Sequence, residues 1–295
     1  MMDDRPRVLF LGGPTASGKT AASLAVAEAF GAVVLSADAM QVYCGFDVGT
    51  AKATPAERAQ IRHEGIDVRQ ATQAFDASDF VALADSLLEE GARVVVAGGT
   101  HMYHQAVRRG LVKTPAVDPA LRAELEVMED LHSELAKVDP VLAERLHPND
   151  RVRVVRGVEV YRQSGQRLSD LQQTHARAPD RVYSEGLWLD RVDLRERIIQ
   201  RLHSMMEAGY LAEVQRLLTQ EVPRESKPMR SLGYRHLTEH LVDGLDLQEA
   251  IWRTERDTWT LARKQRNWQR TLTYDVVESP IESALEAAGR LWPAA

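Results

Sequence analysis

The stretch "RVLFLGGPTASGKT" (residues 7–20) decides the fold. A short, nearly continuous apolar run ends in two glycines, and the pattern G-x-x-x-x-G-K-T runs from Gly13 through Gly18, Lys19 and Thr20. "AASLAVAEAF" (21–30) then continues with helical spacing. A strand, a glycine turn and a helix in that order make a phosphate-binding loop. The glycines let backbone N–H groups face a polyphosphate, and the helix start adds a positive dipole end. Lys19 supplies a point charge, and the Thr20 hydroxyl reaches a phosphate or a magnesium ion.

Working outward, "AVVLSAD" (32–38) reads as a second strand ending on Asp38, and "ARVVVAGGT" (92–100) as a third. Between them "DASDFVALADSLLEEG" (76–91) has helical periodicity, with Asp76 or Ser78 as cap and Gly91 as stop. Continuous apolar strands alternating with helices predict a parallel sheet covered on both faces. Ligands in such sheets collect beyond the carboxyl ends of the strands. Those ends carry the loop, Asp38, and Gly98-Gly99-Thr100. Asp38 is open to three readings: a helix cap, a magnesium-bridging carboxylate, or a base for a nucleophile near the phosphates. The third strand lacks the terminal aspartate that an ATP hydrolase uses to help hold magnesium. His101 and His104 stand at helical spacing, but with no carboxylate partner in view they do not read as a metal pair.

Composition narrows the class. The chain has 295 residues, 44% hydrophobic and 27% charged, as in a soluble globular protein with a sizeable core. A formal charge of −6 argues against indiscriminate nucleic-acid binding yet leaves room for a local basic groove. The single cysteine, Cys44, excludes an intramolecular disulfide and a cysteine-rich zinc module. The acidic start lacks a secretory front, and no apolar run approaches the roughly 18 residues of a membrane helix. A cytoplasmic protein without a membrane partner is expected, and the lack of heptads favours a monomer.

The texture changes near "KTPAVDPA" (113–120), after which the pattern is helical to about residue 180. Residues 145–181 hold eight arginines against four acids. "RVYSEGLWLD" (181–190) returns to a strand, and long helices are expected at roughly 193–219 and 246–274. The expected organisation is an α/β core, a P-loop parallel sheet flanked by helices, from residues 1–115 and 185–295. A helical domain, 116–184, is inserted in it. Arg153 and Arg156 share one helix face. "MRSLGYRH" (229–236) and "TLARKQRNWQR" (260–270) mix basic and aromatic residues. These stretches read either as solvated helix faces or as a groove tracking a nucleic-acid backbone.

Taken together, "GPTASGKT", "SADAMQVYCGFDVGTAK", "GGTHMY", "LHPNDRVRVVRGVEVY", "SLGYRH" and "ARKQRNWQR" resemble, in order and spacing, the bacterial tRNA dimethylallyltransferases. The resemblance spans about residues 8–270. It implies transfer of a dimethylallyl group from dimethylallyl diphosphate to the exocyclic amine of the adenosine 3′ of the anticodon, with magnesium as cofactor. The tRNA anticodon stem-loop is the implied partner. By the same resemblance Gly13, Pro14, Thr15, Ala16, Ser17, Gly18, Lys19 and Thr20 hold the diphosphate, and Thr20 meets the metal. Asp38 is the implied base, and Asp38, Ala39, Met40 and Gln41 contact the extruded adenine. Thr100 lies near the reaction centre. Val152, Arg153, Val154, Val155 and Arg156 contact tRNA, as do Arg230, Ser231, Leu232, Gly233, Tyr234 and Arg235, with Arg230 near the diphosphate. The chain departs from the family pattern at His101, Val152, Trp259, Asn267 and Gln269. Two alternatives stand beside this reading: a small-molecule kinase with the same loop, and prenyl transfer to a free adenine nucleotide.

Overall fold

The structure, a computed structural model, describes residues 4–293. The chain divides into two compact units, one built from residues up to Arg108 together with Arg181 onward, the other from Arg109–Asp180.

The first unit is a six-stranded sheet in which every pairing is parallel. Its strands are β1 (Arg7–Gly12), β2 (Val33–Ser36), β3 (His63–Glu64), β4 (Val94–Gly98), β5 (Tyr183–Leu189) and β6 (Asp275–Val277). Side-by-side order is β3-β2-β4-β1-β5-β6. The apolar runs are continuous because both sheet faces are covered. Val8 and Phe10 enter one core while Leu9 and Leu11 enter the other, and Val94 and Val96 part from Val95 and Ala97 in the same way. Each of the four β1 side chains is fully buried, a contribution of about 1.5–3 kcal/mol apiece. From β1 the chain turns toward β2, whereas the chain after β4 goes to β5 on the other side. The adjacent carboxyl ends of β1 and β4 therefore form the switch point where such sheets take ligands.

The helices of this unit are α1 (Lys19–Phe30), α2 (Pro55–Gln60), α3 (Ala77–Glu89), α4 (His101–Arg109), α10 (Leu194–Glu207), α11 (Tyr210–Thr219), α12 (Tyr234–Asp243), α13 (Leu247–Trp268) and α14 (Pro280–Leu291). Helix α3 starts as the sequence suggests, with Asp76 capping the N–H groups of Ser78 and Asp79. The two long expected helices are each interrupted. Gly209, in the left-handed region at φ 96°, separates α10 from α11. Helix α13 stops at Trp268, and a 3₁₀ turn at Gln269–Thr271 leads into β6. The last helix, α14, packs its small face of Ala284, Ala287 and Ala288 into the same core as α1.

The second unit holds α5 (Pro119–Val127), α6 (Leu131–Val138), α7 (Pro140–Arg145), α8 (Arg151–Ser164) and α9 (Leu168–Arg177) around a leucine–valine core. Asp139, fully buried, accepts the N–H groups of Leu142 and Ser169 at 3.0 and 2.9 Å, tying α7 to α9. Glu159, also fully buried, lies between Arg122 and Arg156 at 2.7 and 2.6 Å. Arg156 further donates to the Thr114 hydroxyl and the Pro115 carbonyl. Val154 and Val155 are buried in this core, while Val152 is 82% exposed. Of the stretch expected to meet tRNA, only Val152 and Arg153 have exposed side chains, and Arg153 pairs at the surface with Asp150 at 2.5 Å. Helical periodicity turns its other members inward, and Arg156 is occupied by an internal carboxylate.

Candidate active site

The loop after β1 is shaped by its glycines and by a lysine folded back onto it. Gly13 has φ 150°, and a Cβ there would lie 2.3 Å from the Leu189 carbonyl oxygen, so only glycine lets β1 turn so close to β5. Ala16 also lies at positive φ (64°), a strained position that is held from outside: Arg197 Nε donates to its carbonyl at 2.9 Å. Lys19 Nζ donates to the carbonyls of Gly13 and Pro14 at 2.9 and 2.6 Å. The loop thus keeps its carbonyls occupied, and the Thr15 N–H is taken by Gln265 Oε1 at 2.9 Å. Gln265 also donates to the Gly99 carbonyl at 3.3 Å, so one side chain of α13 bridges the ends of β1 and β4.

The end of β4 positions Asp38. A Cβ on Gly98 would fall 2.1 Å from the Ala37 carbonyl oxygen. That approach permits Thr100 N to donate to the same carbonyl at 3.0 Å. The Thr100 hydroxyl accepts the Ala39 N–H at 3.2 Å, and Asp38 Oδ1 accepts the Met40 N–H at 2.8 Å. Asp38 is therefore locked by one oxygen in a cap-like turn, and its second oxygen has no protein partner among the described residues. The role of Thr100 is to hold that turn; it does not line the cavity.

Next to this turn stands a buried carboxylate that sequence reasoning did not single out. Glu213 of α11 accepts the N–H groups of Asp47, Val48 and Gly49 at 2.9, 2.8 and 3.2 Å. It also accepts the Tyr234 hydroxyl at 2.6 Å. The residues after that turn, Thr50 and Ala51, offer their carbonyls to Gln41 Nε2 at 3.0 and 3.2 Å, while Gln41 Oε1 accepts from Ser36 Oγ at 2.7 Å. Glu213 thereby ties the 38–51 segment to the start of α12.

Around these groups lies a cavity of about 790 Å³, lined entirely by residues of the sheet unit. Its cations are Lys19, Arg197, Arg201 and Arg230, and Asp38 is its one acid. Val34, Ile66, Ile198, Leu202 and Met205 supply an apolar wall. Arg197 and Arg201 lie four residues apart on α10 and so face the same way. Arg201 makes no hydrogen bond or ion pair among the described residues. Burial depresses its guanidinium, which Asp38 counteracts and Arg197 reinforces. Burial also brings the Lys19 ammonium down to about 7, Arg201 acting in the same sense and Asp38 against it. Surplus positive charge taken out of water in this way is the electrostatic mark of an anion site.

Of the remaining expected residues, Arg230, Ser231, Leu232 and Tyr234 line the cavity, whereas Arg235 pairs with Asp257 at 2.8 Å. No cluster of three or more histidine, cysteine or acidic side chains able to hold a metal occurs among the described residues. Arg197, Arg201, Gln265 and Glu213 were not picked out from sequence as site residues. The first two carry a recoverable signal, since an R-x-x-x-R pair flanks the apolar stripe Leu194, Ile198, Leu202.

Fold and site together define an α/β protein with a glycine loop and clustered buried cations at the switch point of a parallel sheet. The family model described as IPP transferase matches residues 41–272. The tRNA dimethylallyltransferase 1 of Syntrophotalea carbinolica is 43% identical over 278 residues, covering 90% of this chain and 88% of the relative. The crystal structure of the tRNA delta(2)-isopentenylpyrophosphate transferase of Staphylococcus epidermidis superposes with a TM-score of 0.69 at 28% identity, covering 97% of this chain and 98% of the other. A eukaryotic dimethylallyltransferase acting on tRNA reaches a TM-score of 0.80 at 23% identity over 96% of this chain and 76% of that one, a likeness of fold. The chain belongs to the IPP transferase family and is a transferase. No helix among the described residues is long and apolar enough to cross a membrane.

Proposed function

We propose that the protein transfers a dimethylallyl group from dimethylallyl diphosphate to the N6 amine of the adenosine 3′ of the anticodon in tRNA, releasing pyrophosphate. The observation that carries this reading is the cavity. It sets four cations and a glycine loop beside an apolar wall, with one acid, Asp38, among them. A short hydrocarbon bonded to a diphosphate needs both surfaces at once. A kinase for a small molecule is not favoured by the relatives, which are named tRNA dimethylallyltransferases. A free adenine nucleotide as acceptor is likewise not favoured, since the relatives are named for action on tRNA.

In this reading the Gly13–Thr20 loop, Lys19, Arg201 and Arg230 hold the diphosphate and face charge that grows as the allyl carbon–oxygen bond breaks. The bond's electron pair leaves with pyrophosphate, and the N6 lone pair forms the new nitrogen–carbon bond. Asp38 takes the proton from the amine through its unbonded oxygen. Gln41, its amide orientation set by Ser36 and the carbonyls of Thr50 and Ala51, has both N–H groups occupied and keeps one Oε1 lone pair to accept from the adenine amine. The adenine leaves its stack to reach this site, which costs a few kcal/mol and least in a single-stranded loop. Magnesium fits the residues present. The Thr20 hydroxyl opens into the cavity without a protein partner among the described residues, and this ion is usually held by few protein ligands plus substrate phosphates. Bound there, it would offset negative charge on the diphosphate. Arg153, and not Arg156, is the arginine of α8 that meets the RNA backbone. The enzyme is a cytoplasmic monomer in this account, checked by fractionation and light scattering.

The deciding assay offers labelled dimethylallyl diphosphate and magnesium together with tRNA, AMP, or ATP plus small acceptors. Label is expected in tRNA alone, and only with adenosine 3′ of the anticodon. Label in AMP, or phosphate transfer from ATP, refutes the reading. Asp38→Ala is expected to lose most turnover while tRNA binding persists.

A further inference from the structure

One aromatic pair has no part in the chemistry above. The His101 imidazole stacks on the Trp268 indole with ring centroids 4.7 Å apart and planes 14° apart. The Thr271 hydroxyl meets His101 Nε2 at 3.0 Å and also donates to the Trp268 backbone carbonyl at 2.8 Å, so the imidazole is fixed at its ring and the indole is fixed through its stack on it. Neither ring belongs to a hydrophobic core, and Trp268 remains 45% exposed. A fixed, half-exposed indole offers a ready flat face to another ring.

Its position says which ring. His101 follows Gly98-Gly99-Thr100 directly, at the strand end that holds the Asp38 turn. Trp268 lies three residues beyond Gln265 on α13, hence on the same helix face. Gln265 lines the cavity, so the indole stands about one helical turn beyond it, at the rim. Lys264, one turn before Trp268 on the same face of α13, and Arg263 and Arg270, nearby in the chain, are exposed and make no hydrogen bond or ion pair among the described residues. An open indole with a free cation on its own helix face and two more close by in the chain fits a nucleobase with its flanking phosphates. Burial lowers the His101 imidazole below its ordinary value, so at neutral pH it backs the indole as an uncharged ring.

We propose that the His101–Trp268 pair is a stacking platform for a base adjacent to the extruded adenosine, with Arg263, Lys264 and Arg270 on the phosphates beside it. The proposal rests on the tRNA reading above. Extruding one base removes a stacking partner from its neighbours, and the platform replaces that partner. Because the indole is already stacked on His101, less side-chain freedom is lost when the base arrives.

The test is a cycle between protein and RNA. Anticodon stem-loops carry either an intact base or an abasic residue on each side of the target adenosine, and kcat and KM are measured for wild type, Trp268→Ala, Trp268→Phe and His101→Ala. On one side, the abasic residue is expected to raise the wild-type KM by about 5- to 100-fold, the range of a base–aromatic stack. Trp268→Ala is expected to show a similar rise with the intact loop and little further loss with the abasic one. Trp268→Phe should keep most of the affinity, and KM for dimethylallyl diphosphate should not move. Multiplicative losses at both neighbouring positions, or a wild-type KM in Trp268→Ala, overturn the platform. Wild-type protein that labels no RNA at all sinks the tRNA reading itself, a different result.

Discussion

Replacing Glu213 by glutamine keeps the side-chain volume but turns one acceptor oxygen into an NH2 group. Two of the four donors that now reach the carboxylate then face a donor: either Asp47 and Val48 N–H, or Gly49 N–H and the Tyr234 hydroxyl. Glu213 is 7% exposed, so water does not readily replace the lost acceptor, and each orphaned donor costs about 1–3 kcal/mol. The sum is roughly 3 kcal/mol, because the Tyr234 hydroxyl retains some freedom to turn. At about 2–4 °C per kcal/mol for a chain of this size class, the midpoint should fall by roughly 6–12 °C. The chemical effect follows the same bonds. A slack 47–49 turn lets the carbonyls of Thr50 and Ala51 drift from Gln41, so KM for tRNA should rise more than kcat falls. Thermal unfolding and steady-state kinetics of Glu213→Gln and Glu213→Asp test both parts. A Glu213→Gln protein that melts within about 1 °C of wild type refutes the clamp.

Lys19 predicts a pH dependence. Its pKa is lowered from 10.5 to about 7, so above pH 7 the empty site holds mainly neutral lysine, and an arriving diphosphate draws a proton onto it. Pyrophosphate binding at pH 8 should therefore take up a proton, and affinity should fall about tenfold per pH unit above 7. Equal calorimetric heats in buffers of different ionisation enthalpy would refute this. For stability, the cost of the buried ammonium is fully present below pH 7 and is relieved as pH rises toward 10.5, so Lys19→Met should stabilise the protein most on the acid side. Arg156→Ala should destabilise the helical unit by roughly 2 kcal/mol, since Glu159 keeps only Arg122. Arg153→Ala should leave melting unchanged but lower the salt slope of tRNA binding by about 1; the opposite pattern refutes the division of roles. Gly98→Ala places a methyl 2.1 Å from the Ala37 carbonyl oxygen, and a loss of at least about 3 kcal/mol is expected in denaturant unfolding.

The core of the α/β unit was legible because its signals are local. The run Val8–Leu11, the glycine loop and the helix behind it lie within one stretch, and their order alone dictates a buried parallel strand feeding a glycine turn into a helix. Edge elements were not. Strand β3 has two residues and β6 has three, two of them exposed, too few for periodicity to register. Helix α10 parts from α11 at a single glycine inside a continuous helical pattern.

The sequence by itself determined the loop, the two strand ends that flank it, and the family motifs whose spacing links the N-terminal loop to a helix some 250 residues later. Those are properties of neighbouring residues or of residue order. Only the tertiary structure decided which cations share the cavity, because Lys19, Arg201 and Arg230 come from separate elements and meet only when the sheet is closed over by α10. It also decided that Arg156 serves an internal carboxylate while Arg153 faces out, and that Glu213 holds a turn more than 160 residues earlier in the chain. A charged side chain reads the same in sequence whether it meets a ligand or a buried partner. Its role is set by what the fold brings within about 3 Å of it.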